Sequence, residues 1–201
     1  MFAGAGTSCL LGLELRSRIE AFRKNNTDLK VLAFASPPVL SYKASKACAP
    51  FVTSVVNNSD VIPRSSVSNL VVMSKLFYRV NEKLEENGMD FGSWASLKKY
   101  YDDHSKIDDQ LLLTEDELDA FFDETHAKPE NDTEALFVPG RLIVLWDKGA
   151  NDNNEMGGIV TDCGMKQLRQ VELSLTLITD HLVTGYRSSI SRLLEQLENT
   201  I

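Results

Sequence analysis

Two short apolar runs set close together are the strongest constraint on how this chain folds. Residues 29–34 read LKVLAF and residues 51–56 read FVTSVV, each of strand length. A continuous apolar run suits a parallel strand buried on both faces, whereas a strand with one wet face alternates. The first run stops at Ala35-Ser36-Pro37-Pro38, and residues 41–49 make a short polar or helical connection to the second. Ahead of both, Leu11, Leu15, Ile19 and Phe22 recur at helical spacing and predict a helix over residues 7–23. Helix, strand, connection, strand is α/β organisation. The small, glycine-rich residues 1–8, MFAGAGTS, read as a turn feeding that helix, able to cradle an anion or let backbones approach closely.

Further along, Val67, Leu70, Val71, Phe77, Val80 and Leu84 predict a second helix over residues 65–86, ended by Asn87-Gly88. From about 88 to 133 the acids crowd, among them Asp102, Asp103, Asp108, Asp109, Glu115, Asp116, Glu117 and Asp119. This reads as an exposed acidic insertion, with Thr114-Glu115-Asp116-Glu117 as a capping box opening a short helix. Residues 136–146, LFVPGRLIVLW, read as a turn and then a strand starting near Arg141. A loop is expected over 147–154 and another strand over 166–174, where Val171 and Leu173 alternate. Val183, Tyr186, Ile190, Leu193, Leu194 and Leu197 share one face of a terminal helix.

With 201 residues the chain is long enough for one domain with a substantial core. Its net charge of -8 argues against nucleic acid as a partner, because no basic cluster is present to displace counterions from phosphates. Cys9, Cys48 and Cys163 form neither a disulfide framework nor a metal spacing, which fits a reducing compartment. No apolar run approaches the ~18 residues of a membrane span, and Met1-Phe2-Ala3-Gly4 lacks a basic signal-peptide start. A cytoplasmic or peripheral membrane location is the expectation.

Two residues stand where chemistry is usually done. Asp60 lies just past the second apolar run, where α/β enzymes place a catalytic or ligand-fixing carboxylate, and it equally suits an Asx turn. His181 precedes the terminal helix, and an acid after a strand with a late histidine is the chain order of an α/β-hydrolase triad. It could equally be a satisfied loop histidine. His104 and His126 fall in the acidic insertion and are expected to be solvated. The acids there do not make a twelve-residue calcium loop, since the sixth position is Ile107 or Asp108 rather than glycine. No G-x-S-x-G nucleophile elbow occurs anywhere in the chain.

AGAGTSCLLGLEL at the start, LAFASPPVLSYKASKACAPFVTSVVNNSDVIPR, LFVPGRLIVLW and ITDHLVTGY together resemble the class 3, fungal-type lipases. The nearest branch is the sn-1-specific diacylglycerol lipases. The family elbow reads G-H-S-L-G-A-G-T. Gly4-Ala5-Gly6-Thr7 align with its last four positions, Ala3 with the leucine, Phe2 with the nucleophilic serine and Met1 with the histidine. The resemblance implies that Asp60 is the triad acid and His181 the base, in a D/E-H-x-x-x-x-Y setting with Tyr186 as its tyrosine. It also makes the Ala3 amide the nominal oxyanion donor. The resemblance runs over most of the chain apart from about 88–133, where members carry variable insertions.

The fold so implied is a partial α/β-hydrolase, a mostly parallel sheet flanked by helices, with residues 1–201 as the C-terminal portion of the domain and the N-terminal strands lacking. The reaction implied is hydrolysis of acyl esters in diacylglycerol or a related glycerolipid at a membrane surface. With Phe2 in the serine's place, the chain alone is expected to be inactive, as a lipase truncated at its nucleophile would be. The chemistry requires no metal, and calcium enters through the resemblance alone. The alternative is a non-catalytic, hydrolase-like module that binds lipid or protein. A calcium- or partner-binding acidic module centred on residues 89–131 is a third reading.

Overall fold

The computed structural model describes residues 2–24, 29–86, 113–126, 128–148, 155–171, 174 and 176–199. They fall into two compact units, Met1–Leu70 with Pro129–Ile201, and Val71–Lys128. The first unit carries a four-stranded sheet in the order β1 (Val31–Phe34), β2 (Val52–Asn57), β3 (Arg141–Asp147) and β4 (Met156–Thr161). The first three strands are parallel, and β4 closes the far side antiparallel to β3. This mostly parallel sheet with helices on it is consistent with a partial α/β-hydrolase-like fold.

β2 lies inside the sheet, and its register fixes which side chain meets which layer. Val31 pairs with Val52, and Ser54 with Leu142, so Val52, Ser54 and Val56 share one face and Val55 and Asn57 the other. On the first face α1 (Phe2–Arg18) packs through Cys9 and Leu13 against Ala33, Phe51 and Val52. Gly12 permits this approach, because a Cβ there would stand 2.7 Å from the Val31 Cγ2. Farther along the same face, Val56, Leu142 and Val144 are covered by Leu168. On the opposite face Val55, Ile143 and Leu145 meet Tyr186, Ile190 and Leu193 of the terminal helix.

Short devices carry the chain between these strands. Ser41 caps α3 (Tyr42–Ala47) by accepting from the Ala44 amide, and Ser45 of that helix donates to the Val138 carbonyl. Gly140, with φ of 82°, turns the chain into β3 directly beside β2. A Cβ there would lie 2.3 Å from the Val52 carbonyl oxygen, so the position admits glycine alone.

The expectations and the structure differ in four places. The first helix begins at Phe2 and ends at Arg18, with α2 (Glu20–Lys24) following, so Gly4-Ala5-Gly6 lie within its first turns rather than in a preceding loop. Over 166–174 there is no strand among the described residues: Lys166–Arg169 form a 3-10 turn that buries Leu168 and Arg169. The fourth strand is instead Met156–Thr161, whose glycine pair concealed it. A Cβ at Gly157 would meet the Trp146 indole at 2.2 Å, so the glycine is what allows that ring to cross the strand. His126 is half-buried rather than solvated, with its ring stacked on Phe122 and its Nδ1 3.1 Å from the Phe122 carbonyl oxygen.

The second unit holds most of α4 (Val67–Glu86) and all of α5 (Glu115–Thr125). The expected capping box is present: the Glu117 amide donates to the Thr114 hydroxyl at 3.2 Å, and the Thr114 amide to the Glu117 carboxylate at 3.0 Å. Lys83 pairs with that carboxylate at 2.8 Å. Its hydrogen bond, then that of the Thr114 amide, holds the carboxyl down at about 2. Most of the acidic insertion, residues 87–112 with His104, and most of the 147–154 loop lie outside the described residues. No described helix is long and apolar enough to cross a membrane.

Candidate active site

β2 delivers its C-terminal end into a run of polar residues that are all anchored. Asn58 has φ of 42°, a conformation asparagine tolerates better than most residues. Its amide donates to the Leu145 carbonyl at 2.7 Å, and its side-chain oxygen accepts from the Asp147 amide at 2.6 Å. The turn is thus tied to β3, and Asp60 follows it with its amide bonded to the Asn57 carbonyl at 2.9 Å. Pro63 then opens the 3-10 turn Ile62–Arg64, and the buried Arg64 guanidinium donates back to the Asp60 carbonyl at 2.8 Å.

The Asp60 carboxylate is wholly buried, and a buried charge must be compensated by donors. It has three. The Ile62 amide donates to Oδ1 at 2.9 Å, the Tyr186 hydroxyl to Oδ2 at 2.7 Å, and the His181 ring nitrogen Nδ1 lies 3.1 Å from Oδ1 and 3.3 Å from Oδ2. Asp60 and His181, 121 residues apart in sequence, are therefore in direct contact. The Ile62 bond is an Asx turn, formed by the same carboxylate that meets the His181 ring.

His181 ends a series of turns over 176–181, just ahead of α6 (Val183–Glu198). A carboxylate acceptor at Nδ1 places the imidazole proton there and leaves Nε2 as the basic nitrogen. Tyr186, one turn into α6, also accepts from the Asn57 amide at 3.3 Å, and its ring meets Phe34 edge-on at a centroid distance of 5.8 Å. Burial, and then the Asp60 charge beside it, raises its pKa well above the usual phenol range, so it remains a proton donor to the acid. Acid, imidazole and phenol form one hydrogen-bonded group.

Phe2 and Ala3 lie in the first turn of α1. Thr7 donates to the Ala3 carbonyl at 2.7 Å, and the Ala3 amide is among the first four of the helix, which lack intrahelical acceptors. Sequence reasoning passed over Asn57, Asn58, Thr176 and Asp180 as site residues. Their signal was polarity at strand and turn ends, and all four are engaged. Among the described residues no group of three or more His, Cys, Asp or Glu side chains is arranged to hold a metal ion.

No curated protein and no solved structure matches the chain. Residues 3–70 match the family model described as class 3 lipase, a stretch that contains α1 from Ala3 onward, β1, α3, β2 and Asp60, begins after Phe2 and stops before His181. That match supports a lipase-type hydrolase, in general terms a carboxylic ester hydrolase.

Proposed function

We propose that this chain carries the acid and base of a serine-type lipase acting on acyl esters of diacylglycerol or related glycerolipids. The observation that carries this reading is the buried Asp60 bonded to the His181 ring, with Tyr186 holding the other carboxylate oxygen. In the reaction a serine hydroxyl attacks the ester carbonyl carbon while its proton passes to His181 Nε2. Asp60 stabilises the imidazolium and keeps the ring's orientation without itself taking the proton. The tetrahedral oxyanion is met by the Ala3 amide at the helix N-terminus. Its collapse releases the glyceride alcohol, which takes the proton from Nε2, and water then hydrolyses the acyl-enzyme by the same route.

A glycerolipid at a membrane surface is the substrate that suits the exposed apolar residues near His181. Ile178, Leu182 and Val183 are 68%, 50% and 62% exposed and flank His181 in the sequence, an arrangement suited to apolar chains rather than to water. Phe2, aligned with the nucleophile, has no hydroxyl to attack with. Phe2 is also the observation that favours the alternative, a hydrolase-like module that binds lipid or protein without turning it over.

Hydrolysis of a short acyl ester and of diacylglycerol in vesicles tests the reading. The chain as it stands is expected to give background rates. A version with Gly-His-Ser-Leu in place of residues 1–3, preceded by a strand segment, is expected to gain hydrolysis. Asp60→Asn should reduce that rate by about 10⁴, the loss seen when a triad acid is neutralised. Activity in either form that survives His181→Ala unchanged would refute the assignment. Vesicle binding without hydrolysis in the serine-restored form would favour the binding module.

A further inference from the structure

The residue before His181 is engaged with the three residues before Asp60. Asn57 donates its side-chain amide to the Asp180 carbonyl at 3.2 Å. Asn58 donates its side-chain amide to Asp180 Oδ1 at 3.4 Å, and the Ser59 backbone amide donates to Oδ2 at 3.3 Å. The Thr176 hydroxyl completes the set, donating to Oδ2 at 2.7 Å. Residues 57–59 thus meet residue 180, and residue 60 meets residue 181. The acid segment and the base segment are fastened one step behind the contact that matters.

The two sides of this fastening differ in how they are anchored. The acid side is bound to β3 through Asn58, as described above. The base side is a succession of turns whose backbone bonds stay within it: Asp180 amide to Thr176 carbonyl, His181 amide to Ile178 carbonyl, Leu182 amide to Thr179 carbonyl. Such turns set local shape but do not fix where the imidazole lies relative to β2. Asp180 supplies that link on one side of His181 and Tyr186 on the other. Gly185 keeps the helix start close to this turn, since a Cβ there would stand 2.7 Å from the Thr179 carbonyl oxygen. A buried carboxylate held by neutral donors is costly to desolvate, and the donors it recruits come from the two segments that must be aligned.

We infer that Asp180 is a positioning residue: it touches no reacting atom and holds His181 in register against Asp60. This rests on the reading of Asp60 and His181 as an acid–base pair. The test is NMR of the whole chain with ¹⁵N-labelled histidine, following the His181 Nδ1–H proton, which is assigned by its loss in His181→Gln. The wild-type protein should show that proton at low field and slow to exchange with water, and Asp60→Asn should remove it. Asp180→Ala should abolish the resonance while circular dichroism and a cooperative melt are retained. Asp180→Asn keeps an oxygen for Ser59 and Thr176 while losing the Asn58 bond, and should retain the resonance with faster exchange.

A folded Asp180→Ala variant with the wild-type resonance and exchange rate overturns the inference and leaves the pair intact. A wild-type protein without an Asp60-dependent Nδ1–H signal overturns the pair, and the inference with it. Should Asp180→Ala fail to fold, Thr176→Val, which removes the shortest of the carboxylate's bonds together with the Ser174 hydroxyl contact, decides the matter. Faster Nδ1–H exchange supports the positioning role, and unchanged exchange refutes it.

Discussion

Tyr186→Phe removes one oxygen from the centre of the site and leaves the packing in place, because phenylalanine keeps the edge-on contact with Phe34. The phenol gives Asp60 Oδ2 its shortest bond, 2.7 Å, and takes the Asn57 amide at 3.3 Å. A hydrogen bond to a charged acceptor contributes about 1.5–3 kcal/mol, and depriving a buried donor of its partner costs roughly 1–3 kcal/mol more. The Asn57 bond is long, so its share belongs at the low end and the sum comes to about 2–4 kcal/mol. For a chain of this size each kcal/mol moves the melting temperature by roughly 2–4 °C, giving an expected drop of roughly 4–16 °C. The phenol's pKa is raised above the ordinary 10.0, which supplies an independent signature. A raised group contributes stability that is complete below its unfolded pKa and lost as pH climbs above it, because the unfolded chain sheds the proton first. The wild-type advantage over Tyr186→Phe should therefore be constant below about pH 10 and shrink above it. Thermal melts of both proteins across that range measure both effects. An unmoved melting temperature, or a gap that stays constant into strong alkali, would refute the role given to this hydroxyl.

Gly140→Ala forces a side chain into a left-handed backbone position and onto the Val52 carbonyl, so a loss of at least about 1–3 kcal/mol is expected in denaturant titration. Full stability in that variant would show that the turn into β3 relaxes without cost. The thiols of Cys9, Cys48 and Cys163 are free and buried, and burial pushes the Cys48 thiol up to about 11 and the other two upward as well. Against the ordinary 9.0, Cys48 loses roughly a hundredfold in thiolate near neutral pH, so alkylation by iodoacetamide should await unfolding. Rapid stoichiometric labelling of the native chain would contradict this.

The parts of the fold that were legible in the sequence are those whose signal is local. β1, β2 and β3 announced themselves as apolar runs because a strand buried on both faces needs apolar residues at nearly every position. The capping box at Thr114 was legible for the same reason, since both partners lie within one turn. β4 was not, because the fitness of Gly157 for a strand lies in Trp146 across the ladder and not in its own segment. The alternation of Val171 and Leu173 misled over 166–174, where the buried apolar residue is Leu168, held against Val56 and Leu142 by a 3-10 turn. The candidate site divides along the same line. Asp60 and His181 could be named from their places after a strand and before a helix, whereas Asn58, Thr176 and Asp180 matter through partners more than eighty residues away or through a turn not visible beforehand.

The turn at Asp60 shows why a local reading and a functional one need not compete. An ionised carboxylate has about four lone-pair directions, enough for a turn bond, a phenol and an imidazole together. The Ile62 amide takes one direction of Oδ1 and so restrains the side chain's rotation from within its own turn. The backbone beneath it is fixed in turn by the Arg64 guanidinium on the Asp60 carbonyl and by Pro63 in the turn that follows. With the carboxylate's plane set by residues within four positions, one direction remains aimed at His181, and the imidazole need only be brought to it. A site whose acid is oriented by its own neighbours loses little entropy when the base docks, which is the physical meaning of preorganisation. The Asx turn is thus the local element that makes the long-range pair geometrically narrow.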